Sequence, residues 1–465
     1  MPLLSSVVEP EGDTIAHTFL EGIPIKKLLL PSLILGSWLI AACGSIGQGV
    51  QIPQSPLLAA LERKSGLIAY LGPDGNVYTI DQAGGQLNMV TDDAQSTEGG
   101  ARRFYDFPTW SIEDSKLAFV GFDVQPNGTT TVSIYATDKQ AKGAHEIYSS
   151  DAHAPFYLYW SPDGEYVSFL STSRGTAVMA MQIAPAEGGE SKVVDTGSPY
   201  YWAWSPGSTQ VMAHAGGSVI FNPGGARLSL VETEPVIRET GLGIRPTNFQ
   251  APAYSPDGEF VLLAGAAGDQ QQLILTDSTG RVQHALLDFE GTIAFDWAPK
   301  GDYAAYLTAD AGRQTLVGEL TFLDLRKPEE PKHIRIEAED VMGFFWAPDG
   351  KKLAYFVPVM LSQAAEGEQQ TPENTRFLLE LHIAELKSGD TERIAAFQPT
   401  ETFLNIFPFF DQYQRSVTIW SPDSRNLVIS AMANESTQGL FIVPASGDFE
   451  PRFLAEGRLG FWSWD

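Results

Sequence analysis

Seven histidines lie along the 465-residue chain: His17, His145, His153, His214, His284, His333 and His382. None belongs to a His-Glu-x-x-His zinc helix, and no glycine-rich loop ends in Gly-Lys-Ser/Thr. A Gly-x-Ser-x-Gly nucleophile elbow is also missing. Cys43 is the one cysteine, which excludes an internal disulfide framework and any Cys-rich metal site. The acids fall mostly in turns, where Asp stabilises the backbone locally. No catalytic residue, metal or cofactor is therefore expected. Lys and Arg total 30 against 57 Asp and Glu, a formal net charge of −27. That field repels a phosphate backbone and argues against nucleic-acid binding. Only 19% of residues are charged and 43% are hydrophobic, so this is not a disordered acidic chain.

The setting of Cys43 is itself informative. Lys26 and Lys27 precede a 15-residue apolar run, Leu28–Ala42. A spanning helix needs roughly 20 residues, so the run suits a signal-peptide core better. Ile40-Ala41-Ala42-Cys43 resembles the lipobox of bacterial lipoproteins. The resemblance implies cleavage before Cys43, acylation of its sulfur and attachment to the extracytoplasmic face of a bacterial membrane. Residues 1–42 are then a signal peptide and 43–65 a tether. Met1–Ile25 departs from that pattern, because it is long and holds Glu9, Glu11, Asp13 and Glu21. A start codon assigned too early, an unusual leader or an uncleaved anchor helix would each account for it.

The rest of the chain repeats itself. Trp160-Ser161-Pro162-Asp163-Gly164 is the clearest copy, followed by Tyr254-Ser255-Pro256-Asp257-Gly258 and Trp346-Ala347-Pro348-Asp349-Gly350. Copies beginning at Trp204, Trp297 and Trp420 are weaker, and those at Trp110 and Trp462 are partial. Six of the seven intervals between these eight aromatics lie between 42 and 50 residues, the length of a four-stranded propeller blade. Alternating apolar runs follow each turn, such as Tyr166–Leu170 and Phe260–Ala264. Proline sets φ for the turn, Asp suits its next position and Gly its exit. The aromatic before it would plug the space between neighbouring sheets.

Gly66–Leu71, Asn76–Asp81 and Gln86–Val90 form three strands lacking an inner one, and Leu459–Trp464 is an inner strand lacking the rest. Joined, they complete a blade. The expected fold is all-β, an eight-bladed propeller over residues 66–465 with no separate second domain and with its terminal strands paired. Seven blades is the alternative, if the copy at Trp110 is only an extension.

This Trp-Ser-Pro-Asp-Gly repeat resembles that of TolB-type propellers and of the propeller in the prolyl oligopeptidase and dipeptidyl peptidase group. The N-terminal α/β domain of the former and the hydrolase domain of the latter have no counterpart here. The resemblance implies a lipid-anchored propeller that binds or scaffolds, within an envelope assembly. A channel-site enzyme acting on carbohydrate or peptide is the alternative, as is a sensor subunit of a membrane complex.

A propeller meets its partner or ligand at the channel mouth or on a flat face. The inner strands are rich in aromatics, with Tyr157, Tyr159, Tyr200, Tyr201, Trp202, Phe344 and Phe345. The long interval between Trp346 and Trp420 holds two insertions. Met360–Arg376 reads as a solvated hairpin loop. Gln398–Arg415 carries Phe403, Phe407, Phe409, Phe410 and Tyr413. It is either a lid that plugs the channel or a recognition surface for a protein, small-molecule or polymeric ligand, in which Tyr157 and Tyr201 could take part. His145, His284 and His333 should lie far apart on outer strands, His153 and His214 nearer the inner ones, and His382 on the rim surface.

Overall fold

A computed structural model describes residues 65–465 except 98, 114, 174–177, 217–224, 248, 311–315 and 363–374. Ile40, Ala41, Ala42 and Cys43, with the signal and tether segments up to residue 64, lie outside the described residues, as does the tip of the first insertion.

Eight small antiparallel sheets are arranged as an eight-bladed propeller. Among the described residues five have four strands, two have five and one has three. Blades are numbered here in chain order from the sheet that closes the ring. In that sheet Ile68–Leu71 pairs on one side with Val77–Ile80 and on the other with Gly460–Trp462, in the register Ile68↔Trp462 and Ala69↔Phe461. Blade 2, which begins with Arg102–Trp110, is complete, so the count is eight.

The turn explains why each repeat folds alike. In blade 3 the Ser161 N–H donates to Tyr166 O at 2.9 Å, and the Ser161 hydroxyl accepts from the Tyr166 N–H at 3.0 Å. The hydroxyl then donates to Asp163 Oδ1 at 2.6 Å, and that oxygen also accepts from the Glu165 N–H at 3.1 Å. Gly164 exits at φ 67°, a conformation that disfavours a side chain. The closure blade rebuilds this turn from two distant segments. The Ser463 N–H donates to Leu67 O at 2.7 Å, and Ser463 Oγ accepts from the Leu67 N–H at 3.0 Å.

Apolar residues on the second and third strands pack between blades. One such layer joins Val120, Ile134, Trp160 and Phe169 across blades 2 and 3. The eight repeat aromatics, Trp110, Trp160, Trp204, Tyr254, Trp297, Trp346, Trp420 and Trp462, are all buried. Several also tie one blade to the one before it. The Nε1–H groups of Trp110, Trp160, Trp297 and Trp420 donate to Phe461 O, Thr109 O, Ala253 O and Phe345 O at 2.9–3.1 Å. Each acceptor is the residue just before the preceding blade's aromatic. Trp204 reaches the equivalent Tyr159 O through Ser168, whose Oγ accepts at 3.0 Å and donates onward at 2.5 Å.

Candidate functional site: the plugged central channel

Blade 8 departs from the others at its entrance. Before its inner segment Val417–Trp420, the chain turns into the channel as α1 (Glu401–Leu404), a 3-10 turn (Phe407–Phe409) and α2 (Phe410–Ser416). Thr400 caps α1, accepting from the Phe403 N–H at 3.2 Å while its hydroxyl donates to Arg458 O at 2.7 Å. Phe403 and Phe407 are buried edge-on against Phe356 and against each other. Phe410 is buried against Phe344, and Gly343 leaves room for both Phe407 and Phe410. Phe409 and Tyr413 are half-buried.

The insertion therefore occupies the channel, and three of its aromatics belong to the core. Tyr157 is buried beside α2, its ring edge-on to Tyr413 at 5.1 Å. Tyr201 is buried too, with its ring centre 4.2 Å from that of Phe249. The surrounding burial raises the phenol pKa values of Tyr157, Tyr201 and Tyr413.

The polar residues of α2 are directed at the inner strands. Gln412 Oε1 accepts from the Trp202 N–H at 3.0 Å, and its Nε2 donates to Trp202 O at 3.0 Å and to Tyr157 Oη at 3.1 Å. The Tyr157 hydroxyl donates in turn to Gln412 O at 2.9 Å. Asp411 Oδ2 accepts from the Ala251 N–H at 2.8 Å. Arg415 donates through Nε to Asp411 O at 3.0 Å and through Nη2 to Phe295 O at 3.3 Å, and its Nη1 pairs with Asp296 Oδ1 at 3.1 Å. Sequence reasoning missed Asp411, Gln412, Gln414, Arg415 and Asp296. The available signal was Asp411–Arg415 and Gln412–Ser416 at i, i+4 within an aromatic stretch, a pattern of a short helix polar where strands surround it.

Burial dominates the electrostatics. It pushes the Asp411 carboxyl up to about 6 against the opposing pull of the Ala251 N–H and Arg415. Asp296 is raised by burial, opposed by Arg415, and Asp106 is raised by burial, opposed by the Phe107 N–H and Arg458. Tyr159 is pushed up to about 12 by burial.

Beside the C-terminal half of α2, toward the face that carries the repeat turns, a cavity of about 220 Å³ remains. Tyr159, Asp296, Trp346, Gln414, Arg415 and Trp464 are among its lining residues.

The histidines do not converge. His145, His284 and His333 lie on the outermost strands of three blades. His153 opens an inner strand. His214 is buried on a second strand, hydrogen-bonded through Nδ1 to the Gln250 backbone, and burial lowers its pKa to about 4. His382 is not on the rim surface as expected: it is half-buried, stacked on Tyr355 at 5.0 Å, because the long second and third strands of blade 7 bring the two rings face to face. No group of three His, Cys, Asp or Glu side chains able to hold a metal ion occurs among the described residues.

No protein-family model matches the chain, and no curated protein matches it either. Several solved structures are similar to it at low identity. A putative TolB from Agrobacterium tumefaciens is 15% identical, covers 62% of this chain and 96% of its own, and gives a TM-score of 0.35. TolB from Acinetobacter baumannii is 14% identical over 71% of this chain and 78% of its own, with a TM-score of 0.35. An oligogalacturonate lyase from Vibrio parahaemolyticus is 13% identical over 82% and 98%, with a TM-score of 0.42. At such identities and scores these likenesses leave activity open, and the fold rests on the chain's own sheets.

Proposed function

We propose that this chain is a binding propeller rather than an enzyme, held by a lipid on Cys43 at the extracytoplasmic face of a bacterial membrane. The observation that carries the first half is the engagement of α2. A channel-site enzyme needs an acid, base or nucleophile free to meet its substrate. Here Asp411, Gln412 and Arg415 are tied to the backbone of blades 4, 5 and 6. What remains for recognition is a face. Opposite the repeat turns, blade 7 extends a long hairpin whose strands are Lys352–Ser362 and Thr375–Glu385, with Met360 65% and Leu361 48% exposed. The exposed Glu401, Asn405 and Pro408 of the plug share that face. Apolar residues rimmed by polar ones suit a protein partner.

The second half is supported by the basic flank, the apolar run and Cys43 at its end. Among the described residues no helix is long and apolar enough to cross a membrane. Expression of the full chain in a bacterium, detergent phase separation and intact-mass analysis test the anchor. The wild type should enter the detergent phase with an acylated Cys43, and Cys43→Ser should stay aqueous. An unmodified Cys43 in the aqueous phase would overturn it. Native purification with mass spectrometry of bound proteins tests the partner, whose capture should be lost in Met360→Glu/Leu361→Glu.

A further inference from the structure

We propose that a groove at the turn end of blade 8 receives an extended acidic segment of a partner protein. The groove lies with the repeat turns, on the other face from the Met360 hairpin. It therefore goes beyond the preceding reading and requires neither the lipid nor that hairpin.

The groove has a volume of about 470 Å³. It runs over the ends of three strands of blade 8, Asn426–Met432, Gln438–Pro444 and Arg452–Glu456, and reaches Lys352 of blade 7. Ile442, Pro444 and Ala445 give it an apolar lining. Phe449 lines it too, from the turn that joins the last two strands, and is 72% exposed. No other large apolar side chain among the described residues is as exposed. A solitary surface apolar residue needs no explanation, but this one stands beside an apolar-lined groove.

Charge selects the occupant. The chain as a whole carries a formal −27, yet the ionisable residues lining the groove are Lys352, Arg425 and Arg452 against Glu450 alone. Arg425 is exposed, and its guanidinium has no partner among the described residues; only its backbone N–H is engaged, by Ser421 and Asp423. Arg452 is braced by an Nη2 donation to Gln82 O. Lys352 pairs with Glu385 at 3.5 Å, a solvent-facing contact worth little, so its ammonium can meet a second carboxylate. The fork of a guanidinium matches a carboxylate, and Phe449 offers a ring to an apolar neighbour.

Other occupants fit less well. Three cations repel a metal ion. A nucleic acid or a flat anionic bilayer extends past the groove, where it meets the negative field of the rest of the chain. A narrow segment lies within the roughly 8 Å over which exposed charges act at physiological salt, so it feels the three cations first. A small carboxylate would satisfy Arg425 and leave an exposed groove open to water, whereas small-ligand pockets bury most of their ligand. Glu450, next to Phe449, disfavours an unbroken acidic run and favours acids alternating with apolar residues.

The full chain carrying Cys43→Ser is titrated into a dansyl-labelled peptide of sequence Glu-Leu-Glu-Phe-Glu-Leu-Glu and followed by fluorescence anisotropy. Peptides with Gln or Lys in place of every Glu are the comparators. Saturable binding of the Glu peptide is expected, about tenfold or more tighter than that of the Gln peptide. Arg425→Glu and Phe449→Ala, both at exposed positions, should each weaken it about fivefold or more, while Met360→Glu/Leu361→Glu binds as the parent does. The proposal is overturned by no saturation up to about 1 mM, or by a Gln or Lys peptide that binds as tightly. It is equally overturned if Arg425→Glu or Phe449→Ala changes nothing, or if the Met360→Glu/Leu361→Glu pair is what abolishes binding. Flotation with phosphatidylglycerol vesicles completes the test: co-flotation that Arg425→Glu abolishes would assign the groove to a bilayer and overturn the protein partner.

Discussion

The seams between blades and the channel at their centre are held by opposite means. A seam is apolar and repeated: one large aromatic, a layer of Val, Ile and Phe, and in most cases a single indole N–H on a carbonyl. The channel is polar and has no second copy: a seven-residue helix places Asp, Gln and Arg among strands. The reason lies in the strand edges. Each inner strand turns one edge to the axis, and its N–H and C=O groups need partners. Side chains of α2 serve two such edges, at Trp202 and Phe295, and the Ala251 N–H just before a third. Seams thus carry stability by redundancy, whereas the plug depends on individual hydrogen bonds and on the protonation of buried acids.

The largest expected effect is at a seam. Trp160→Ala empties the layer between blades 2 and 3 and leaves Thr109 O without its donor, so it should cost roughly 3–5 kcal/mol in denaturant unfolding. A loss well under 1 kcal/mol would break the claim that the aromatics hold the ring together. Next comes Gln412→Ala, which strands the Trp202 N–H and O in a buried place and should cost roughly 2–4 kcal/mol. Its coupling to Tyr157→Phe, about 1 kcal/mol in a double-mutant cycle, would locate the loss in the plug.

The acids sharpen the contrast by pH. An unfolded Asp titrates near 3.9, and Asp411 in the folded chain near 6. Its proton therefore contributes stability that is fully present below about pH 4 and lost as pH rises through about 6. Asp411→Asn should remove that dependence and raise stability at pH 7, relative to pH 4, by roughly 2–3 kcal/mol. Parallel pH profiles of variant and wild type would show that Asp411 ionises freely.

The blades were legible in the sequence because a weak signal was printed many times. No single Trp-Ser-Pro-Asp-Gly decides a fold, but eight aromatics with six of seven intervals between 42 and 50 residues do, and the halves at Gly66 and Leu459 fit only when joined. The plug offered no such repetition. Its aromatic run was visible, and Phe403, Phe407 and Phe410 suited a lid as well as a surface. Its chemistry was hidden because Gln412, Asp411 and Arg415 all bond to main-chain atoms, which every residue type possesses.

The smallest expected effect probes the seam where repeats differ. The turn exits at Gly164, Gly258, Gly301 and Gly350 with φ between 67° and 83°, but Ser208 and Ser424 take that place at 59°. Left-handed geometry costs an L-residue roughly 1–2 kcal/mol. The hydroxyls offset it, since Ser208 Oγ accepts from the Asp163 N–H and Ser424 Oγ from the Asp349 N–H, both at 3.0 Å in the adjoining blade. Ser65 does the same for Asp423 at 3.2 Å, which extends the contact across the closure. Ser208→Ala keeps the strain and loses the bond, so it should cost about 1 kcal/mol. Ser208→Gly loses the same bond but releases the strain, and should fall within about 0.5 kcal/mol of the wild type. If Ser208→Gly proves the less stable of the two, the hydroxyl is not what compensates the turn, and the seams are joined by their aromatics alone.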